Sequence, residues 1–330
     1  QGRPSRAGGI IIFLLSAGLT LMAVVAGAPW PPILVTMALC AALLGGVDDV
    51  SALPAIPKLI VLGLISVLTV MMVGPLPPVP IPFIGDLKLP AFLSYPLAVL
   101  FLLAFVNAFN FMDGLNGLSG SVAIVALSLL LLNSGGVDIG FAFVVLLLAS
   151  VLYGFVVRNV MTGQIFLGDA GSLGLGLFLA AAALWQGQGV TGLTTSAFYV
   201  FVVAFIPYLA DTGVTLFQRW RAGKPLLDAH TEHVSLQLRA LGGSPLAAAA
   251  AYAGRTFLGG VLAGFGQAQL GAAGLWAAGL GALALYGLTV RWMVCRRYDR
   301  RTTERLAKSS SCERSGAGDT TESALAASSA

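Results

Sequence analysis

Asn107-Ala108-Phe109-Asn110-Phe111-Met112-Asp113-Gly114-Leu115-Asn116-Gly117-Leu118 joins one apolar run, residues 91–106, to another, residues 118–132. Three amides and a carboxylate therefore sit where a membrane helix meets water. A bare structural turn needs about one Asn and one Gly, and this one carries far more. Polar side chains at membrane depth are costly and usually face a protein cavity, which makes them candidates for function. The rest of the chain is read for other polar groups that reach the same face.

The chain is 57% hydrophobic and 10% charged, with a mean hydropathy of +0.90. Soluble domains carry roughly 25% charged residues, so the composition specifies an all-α polytopic membrane protein. Apolar spans fall near residues 8–27, 32–47, 57–74, 91–109, 117–133, 138–157, 171–185, 193–210, 246–265 and 271–294, about ten crossings. Each is long enough, or nearly so, to cross ~30 Å of hydrocarbon. The proline-rich outer segment 74–82 is extended, and Ile81-Pro82-Phe83 pairs with Leu87-Lys88-Leu89 around Gly85-Asp86 as an expected hairpin. Residues 1–295 read as one transmembrane domain and 296–330 as a disordered cytoplasmic tail, since the tail is Ser, Thr, Ala and charge without periodicity. Cys40, Cys295 and Cys312 are scattered, without metal-type spacing.

Lys and Arg set the orientation. With Arg3 and Arg6 cytoplasmic, strict alternation puts Lys58, Arg158, Arg219, Arg221, Lys224, Arg239 and the basic run 291–305 on the same side. The opposite loops hold Lys88, and Arg255 lies within a helix. That bias fixes the cytoplasmic face.

The same alternation gathers acids there. Asp48-Asp49 end the second span, Asp113 lies in the opening stretch, Asp169 lies in Phe166-Leu167-Gly168-Asp169-Ala170-Gly171-Ser172, and Asp211 ends the eighth span. Asp48 and Asp49 either cap the next helix or serve a cation, because adjacent like charges repel unless compensated. Mg²⁺ takes oxygen ligands, commonly one or two carboxylates with substrate phosphate and water. Asp169 sits beside glycine N–H groups that suit phosphate. Lys58 either snorkels to headgroups or meets a phosphate. His230 and His233, the two histidines of the chain, share a polar loop at i, i+3 spacing. Zinc would need a third ligand such as Asp228 or Glu232, and the zinc-enzyme spacings are absent, so phosphate contact is favoured. No phosphate loop, nucleophile elbow or nucleic-acid signature is present.

Five stretches together resemble the polyprenyl-phosphate N-acetylhexosamine-1-phosphate transferases (glycosyltransferase family 4), the WecA-type and phospho-MurNAc-pentapeptide transferases. They are residues 2–9, Gly46-Val47-Asp48-Asp49, 107–118, 166–172 and 228–238, in the family's order. The resemblance implies transfer of a sugar-1-phosphate from a UDP-N-acetylhexosamine to undecaprenyl (polyprenyl) phosphate, with Mg²⁺ (or Mn²⁺) and release of UMP. It places the enzyme in the plasma (inner) membrane, with the active site at the cytoplasmic face, and gives the intact protein eleven spans; a homodimer is one expected assembly. It implies Asp48, Asp49 and Asp169 as catalytic, and Asp169, Asp49 and Asp113 as the metal set. Lys58, Asn107, Asn110, Asp113, Asn116, His230 and His233 are the implied substrate contacts.

Three departures stand out. Asn116 replaces an Asp found in many members, the common three-histidine cluster is absent, and the chain starts after the family's usual first helix. Ala229-His230-Thr231-Glu232-His233 looks like the A-H-R-S-H form of a branch that initiates O-antigen, and so lipopolysaccharide, synthesis. The competing expectations are a peptidoglycan-precursor phospho-MurNAc-pentapeptide transferase and a proton- or cation-coupled transporter. A transporter would place its acids near the midplane, whereas these lie at span ends.

Overall fold

The computed structural model describes residues 32–133, 139–189, 196–225 and 244–293, together with Gly9, Gly18, His233, Val234, Gln237 and Cys295. Apart from Gly9 and Gly18, the expected span 8–27 lies outside the described residues, as do Asp228, His230 and the tail from residue 296. The chain divides into two compact units, Gln1–Ala284 and Leu285–Ala330, and the elements that build the site belong to the first.

The fold is an all-α membrane bundle. Its helices are α1 (Ile33–Ser51), α2 (Ala55–Val73), α3 (Ala91–Met112), α4 (Leu118–Leu132), α5 (Ile139–Thr162) and α6 (Gly168–Gln186). They are followed by α7 (Ser196–Ala204), α8 (Ile206–Arg221), α9 (Pro245–Leu270) and α10 (Ala272–Met293). Among the described residues seven of these are long and apolar enough to cross a membrane, and α7 with α8 makes an eighth, bent crossing. α4 is a shorter apolar helix of 15 residues. Prolines and caps place the starts. Pro32, Pro54 and Pro90 precede α1, α2 and α3. Pro245 occupies the first turn of α9, where its missing N–H costs nothing, and the Ser244 hydroxyl caps that helix by accepting from Ala247 N at 3.0 Å.

α6 is the hub. Every residue from Ala170 to Gln186 is buried, and its closest packing is against α1 and α3. Small residues make this possible, since van der Waals fit rather than water exclusion holds helices together in a bilayer. Gly45 of α1 shows how tight the fit is: a Cβ built there would overlap the carbonyl oxygen of Asp169. On another side, an aromatic column joins α3 to α7 and α8, with Phe101 on Phe198 at 4.9 Å, Phe105 on Phe205 at 4.8 Å and Phe109 on Tyr208 at 5.7 Å. Phe105 and Phe109 are thus core.

Two expectations change. The hairpin forms, but β1 (Val79–Ile81) pairs with β2 (Gly85–Leu87) in the register Val79↔Leu87, Pro80↔Asp86 and Ile81↔Gly85. The turn is therefore Pro82-Phe83-Ile84 rather than Gly85-Asp86, and Phe83 takes it with φ 65°. The eighth span is not one helix ending at residue 210. It bends by 59° between α7 and α8, because Pro207 at the start of α8 lacks the N–H that would continue the ladder. α8 then runs on to Arg221 with Asp211, Thr212, Thr215 and Arg219 buried, while Val214, Phe217 and Trp220 are exposed. This inside-out amphipathicity suits a helix with lipid on one side and a polar interior on the other.

Candidate functional site

The bundle has a hairpin end and a polar end. At the hairpin end Tyr199, Gln188 and Trp276 donate to the carbonyls of Pro77, Pro75 and Pro80 at 2.7, 2.7 and 2.8 Å. The polar end collects the C-termini of α1 and α3 and the N-termini of α2 and α6, as the alternation of charge requires. There Asp48, Lys58, Asn107, Asn110, Asp169 and His233 line a cavity of about 370 Å³.

Lys58 is its centre. Its Nζ donates to Asp48 Oδ2 at 2.6 Å and to Asp169 Oδ2 at 2.5 Å, tying α2 to both α1 and α6. The expectation for Lys58 was headgroup or phosphate; the structure gives it two carboxylates. The other oxygen of each acid is also fixed: Asp48 Oδ1 accepts Leu53 N at 2.6 Å, and Asp169 Oδ1 accepts Asn110 Nδ2 at 3.0 Å. Asn110 also donates to Ser172 Oγ at 2.8 Å. One ammonium between two acids lowers their mutual repulsion and holds them ready for a charged ligand. Asn107 lies on the same wall, its Nδ2 donating to Leu103 O at 2.7 Å.

Asp49 faces elsewhere. Its Oδ2 accepts the N–H of Ala170 at 3.1 Å, so it serves a first-turn donor of α6. Capping and site-building thus coexist in the Asp48-Asp49 pair, but the helix capped by Asp49 is α6. Gly9, from the first of the five stretches, donates its N–H to Leu167 O at 3.1 Å, just before the same helix.

Asp113 and Asn116 line a second, smaller cavity of about 80 Å³ with Ser119, Asn159 and Phe166. Asp113 retains some accessible surface, yet it is packed round by enough protein that lost hydration is the largest influence on it. Burial, reinforced by the negative charges of Asp169 and Asp49 and offset in part by the Ser119 hydroxyl, pushes its carboxyl up to about 8. The sequence groups Asp169, Asp49 and Asp113 as a metal set. Among the described residues no three of His, Cys, Asp and Glu gather into a ready-made metal cage. Mg²⁺ has another mode, in which one or two carboxylates share the ion with substrate phosphates and water, and of the three acids Asp169 is the one that lines the main cavity and could serve it.

His233 reaches the main cavity, buried beside Phe111 with ring centroids 6.5 Å apart. Two residues here were given no role from the sequence. Asp211 is fully buried behind His233. Asn159 of α5, 3% exposed, accepts Gly117 N at 2.6 Å and donates to Ile165 O at 2.6 Å. It clasps the loop after α3 to the loop before α6, and Gly117, with φ 80°, takes the left-handed turn that aims its N–H there. Beside Arg158, just past the apolar run 138–157, Asn159 carries no local signal of this role. Asn159→Leu strands both backbone groups at about 1–3 kcal/mol each. A lowered midpoint in detergent thermal unfolding is the expected result.

A polytopic helical bundle with acids, amides, a lysine and an imidazole converging on one cavity at its helix ends defines an integral-membrane protein with a built polar site. Residues 31–187, just under half of the chain, match the model of glycosyl transferase family 4. The chain is 31% identical over 185 residues to the decaprenyl-phosphate N-acetylglucosaminephosphotransferase of Mycolicibacterium smegmatis, covering 50% of this chain and 45% of that protein. It is 29% identical over 164 residues to a probable undecaprenyl-phosphate N-acetylglucosaminyl 1-phosphate transferase of Bacillus subtilis, covering 49% and 45%. A phospho-N-acetylmuramoyl-pentapeptide-transferase of Synechococcus is 40% identical over 109 residues, covering 33% and 31%. The chain spans about half the length or less of these relatives.

Proposed function

We propose that the protein transfers an N-acetylhexosamine-1-phosphate from a UDP-sugar to a polyprenyl phosphate such as undecaprenyl phosphate. UMP is released, and a lipid-linked envelope glycan is initiated at the cytoplasmic face of the inner membrane. The observation that carries this reading is the Asp48–Lys58–Asp169 bridge in an amide-lined cavity at the helix ends. The family match, the names of the relatives and the distribution of Lys and Arg point the same way.

The attacking oxygen in such a transfer already belongs to a phosphate, so the task is alignment and charge neutralisation. Asp48 is the member of its pair that lines the cavity, and it is the carboxylate placed to take a proton from the carrier phosphate. Asp169 would hold Mg²⁺, with Asp113 and Asp49 on neighbouring elements, and the bound ion would neutralise charge on the diphosphate being cleaved. Asn110 orients Asp169, Lys58 offsets the acids as substrates arrive, and His233 meets phosphate in the same cavity. Asp113 and Asn116 belong to the donor side.

The test uses purified protein in detergent with Mg²⁺, undecaprenyl phosphate and a panel of UDP-N-acetylhexosamines, with UMP as the readout. UMP that depends on both lipid and metal is expected, with UDP-N-acetylglucosamine among the accepted donors. A preference for UDP-MurNAc-pentapeptide would move the protein to the peptidoglycan branch. Absence of UMP with every donor, from folded protein, would favour the transport reading.

A further inference from the structure

We propose that Asp211 is a positioning residue for His233, its buried carboxylate holding the proton of the neutral imidazole on Nδ1 and the ring in place at the cavity wall; this rests on the transfer reading. Asp211 lies in the middle of α8 and is 0% exposed, and His233 is 1% exposed. His233 Nδ1 is 3.6 Å from Asp211 Oδ1, and the same oxygen accepts the backbone N–H of Val234 at 2.9 Å. Thr215 Oγ1 donates to it at 3.4 Å. From α9, Tyr252 donates its hydroxyl to Oδ2 at 2.6 Å, so the carboxylate is itself held from a second helix.

Ring and backbone of one short segment therefore converge on a single buried oxygen. A carboxylate accepts but does not donate. An imidazole nitrogen facing it carries the proton. The Phe111 ring beside the imidazole limits its rotation on the other side.

The bland alternative is that Asp211 merely ties down the segment through Val234. Asp211→Asn separates the two roles. An amide oxygen still accepts the Val234 N–H, but the charge that holds the imidazole proton across 3.6 Å is gone, and so is the oxygen that accepts from Tyr252. The chain has two histidines, so ¹⁵N-histidine labelling in detergent gives two imidazoles, with His233 assigned by comparison with His230→Gln. In the parent, neutral His233 is expected as the Nδ1–H tautomer. In Asp211→Asn that preference is expected to collapse, and transfer to fall at least tenfold.

An unchanged His233 tautomer in Asp211→Asn would overturn the proposal, whatever the activity. Should Asp211→Asn fail to fold, Tyr252→Phe removes one bond to Oδ2. It is expected to shift the His233 ring signals, and unchanged signals would equally overturn it. The tautomer is read without substrate. An Nδ1–H His233 in a protein that transfers nothing sinks the transfer reading alone; full transfer with an indifferent His233 sinks the positioning role alone.

Discussion

Asp169→Asn is expected to reduce UMP release by roughly 10³-fold or more, about 4 kcal/mol of transition-state stabilisation, while the protein still inserts and purifies. The side chain keeps its shape, so Asn110 and Lys58 retain a partner of similar size. What disappears is the charge that a divalent cation and two phosphorylated substrates require. Asp48→Asn is expected to fail equally, since the carboxylate bonded to Lys58 and Leu53 then has no basic oxygen to offer the carrier. Asp49→Asn is the most informative of the three. An amide oxygen still accepts the N–H of Ala170, so α6 stays capped and any loss of activity belongs to charge. Retained activity in one variant, with wild-type yield and helicity, would remove that residue from the mechanism.

Gly45→Ala adds a single methyl, and its expected effect approaches that of removing a catalytic acid. The new Cβ would overlap the carbonyl oxygen and carbon of Asp169 and would meet Ala170 N at 2.5 Å. All three are backbone atoms of α6, so no side chain can swing aside. The helices must part, and with them the Asp49–Ala170 bond and the Lys58 bridge that spans α1 and α6. Overpacking costs about 1–3 kcal/mol of stability, and a shift on the order of 1 Å among reacting groups costs about 100-fold in rate. Transfer assays and thermal unfolding on the same preparation check both. Unaltered activity in the Gly45→Ala variant would mean that α1 and α6 do not meet at this point.

The motifs that carry the site were legible because membrane physics makes polar residues conspicuous. Asp48, Asn110 and Asp169 stand out from apolar runs, and the alternation of Lys and Arg brings them to one end before any coordinates are known. The bridging role of Lys58 was not legible, since its partner Asp169 is distant in sequence and a lysine at a span start has an ordinary use. Asp211 was visible as an acid, but its partnership with Tyr252 joins α8 to α9 and leaves no local pattern. The break between α7 and α8 had a signal in Pro207. It was masked by an apolar composition that reads as one span on either side of Phe205. The hairpin register followed Phe83 rather than the glycine, because β1 starts earlier, at Val79.

α6 shares with α9 the lowest hydropathy of the long described helices, yet it is the most enclosed, buried at every position from Ala170 to Gln186. Its solvent is protein, and its glycines and alanines are chosen for neighbours rather than for lipid. During synthesis such a segment emerges before α7, α8 and α9 exist, with only its upstream partners to receive it. Its residence in the bilayer is therefore secured by the company of α1 and α3 more than by its own partitioning. Since Asp169 rides at its tip, assembly of the bundle and assembly of the reactive centre are the same event.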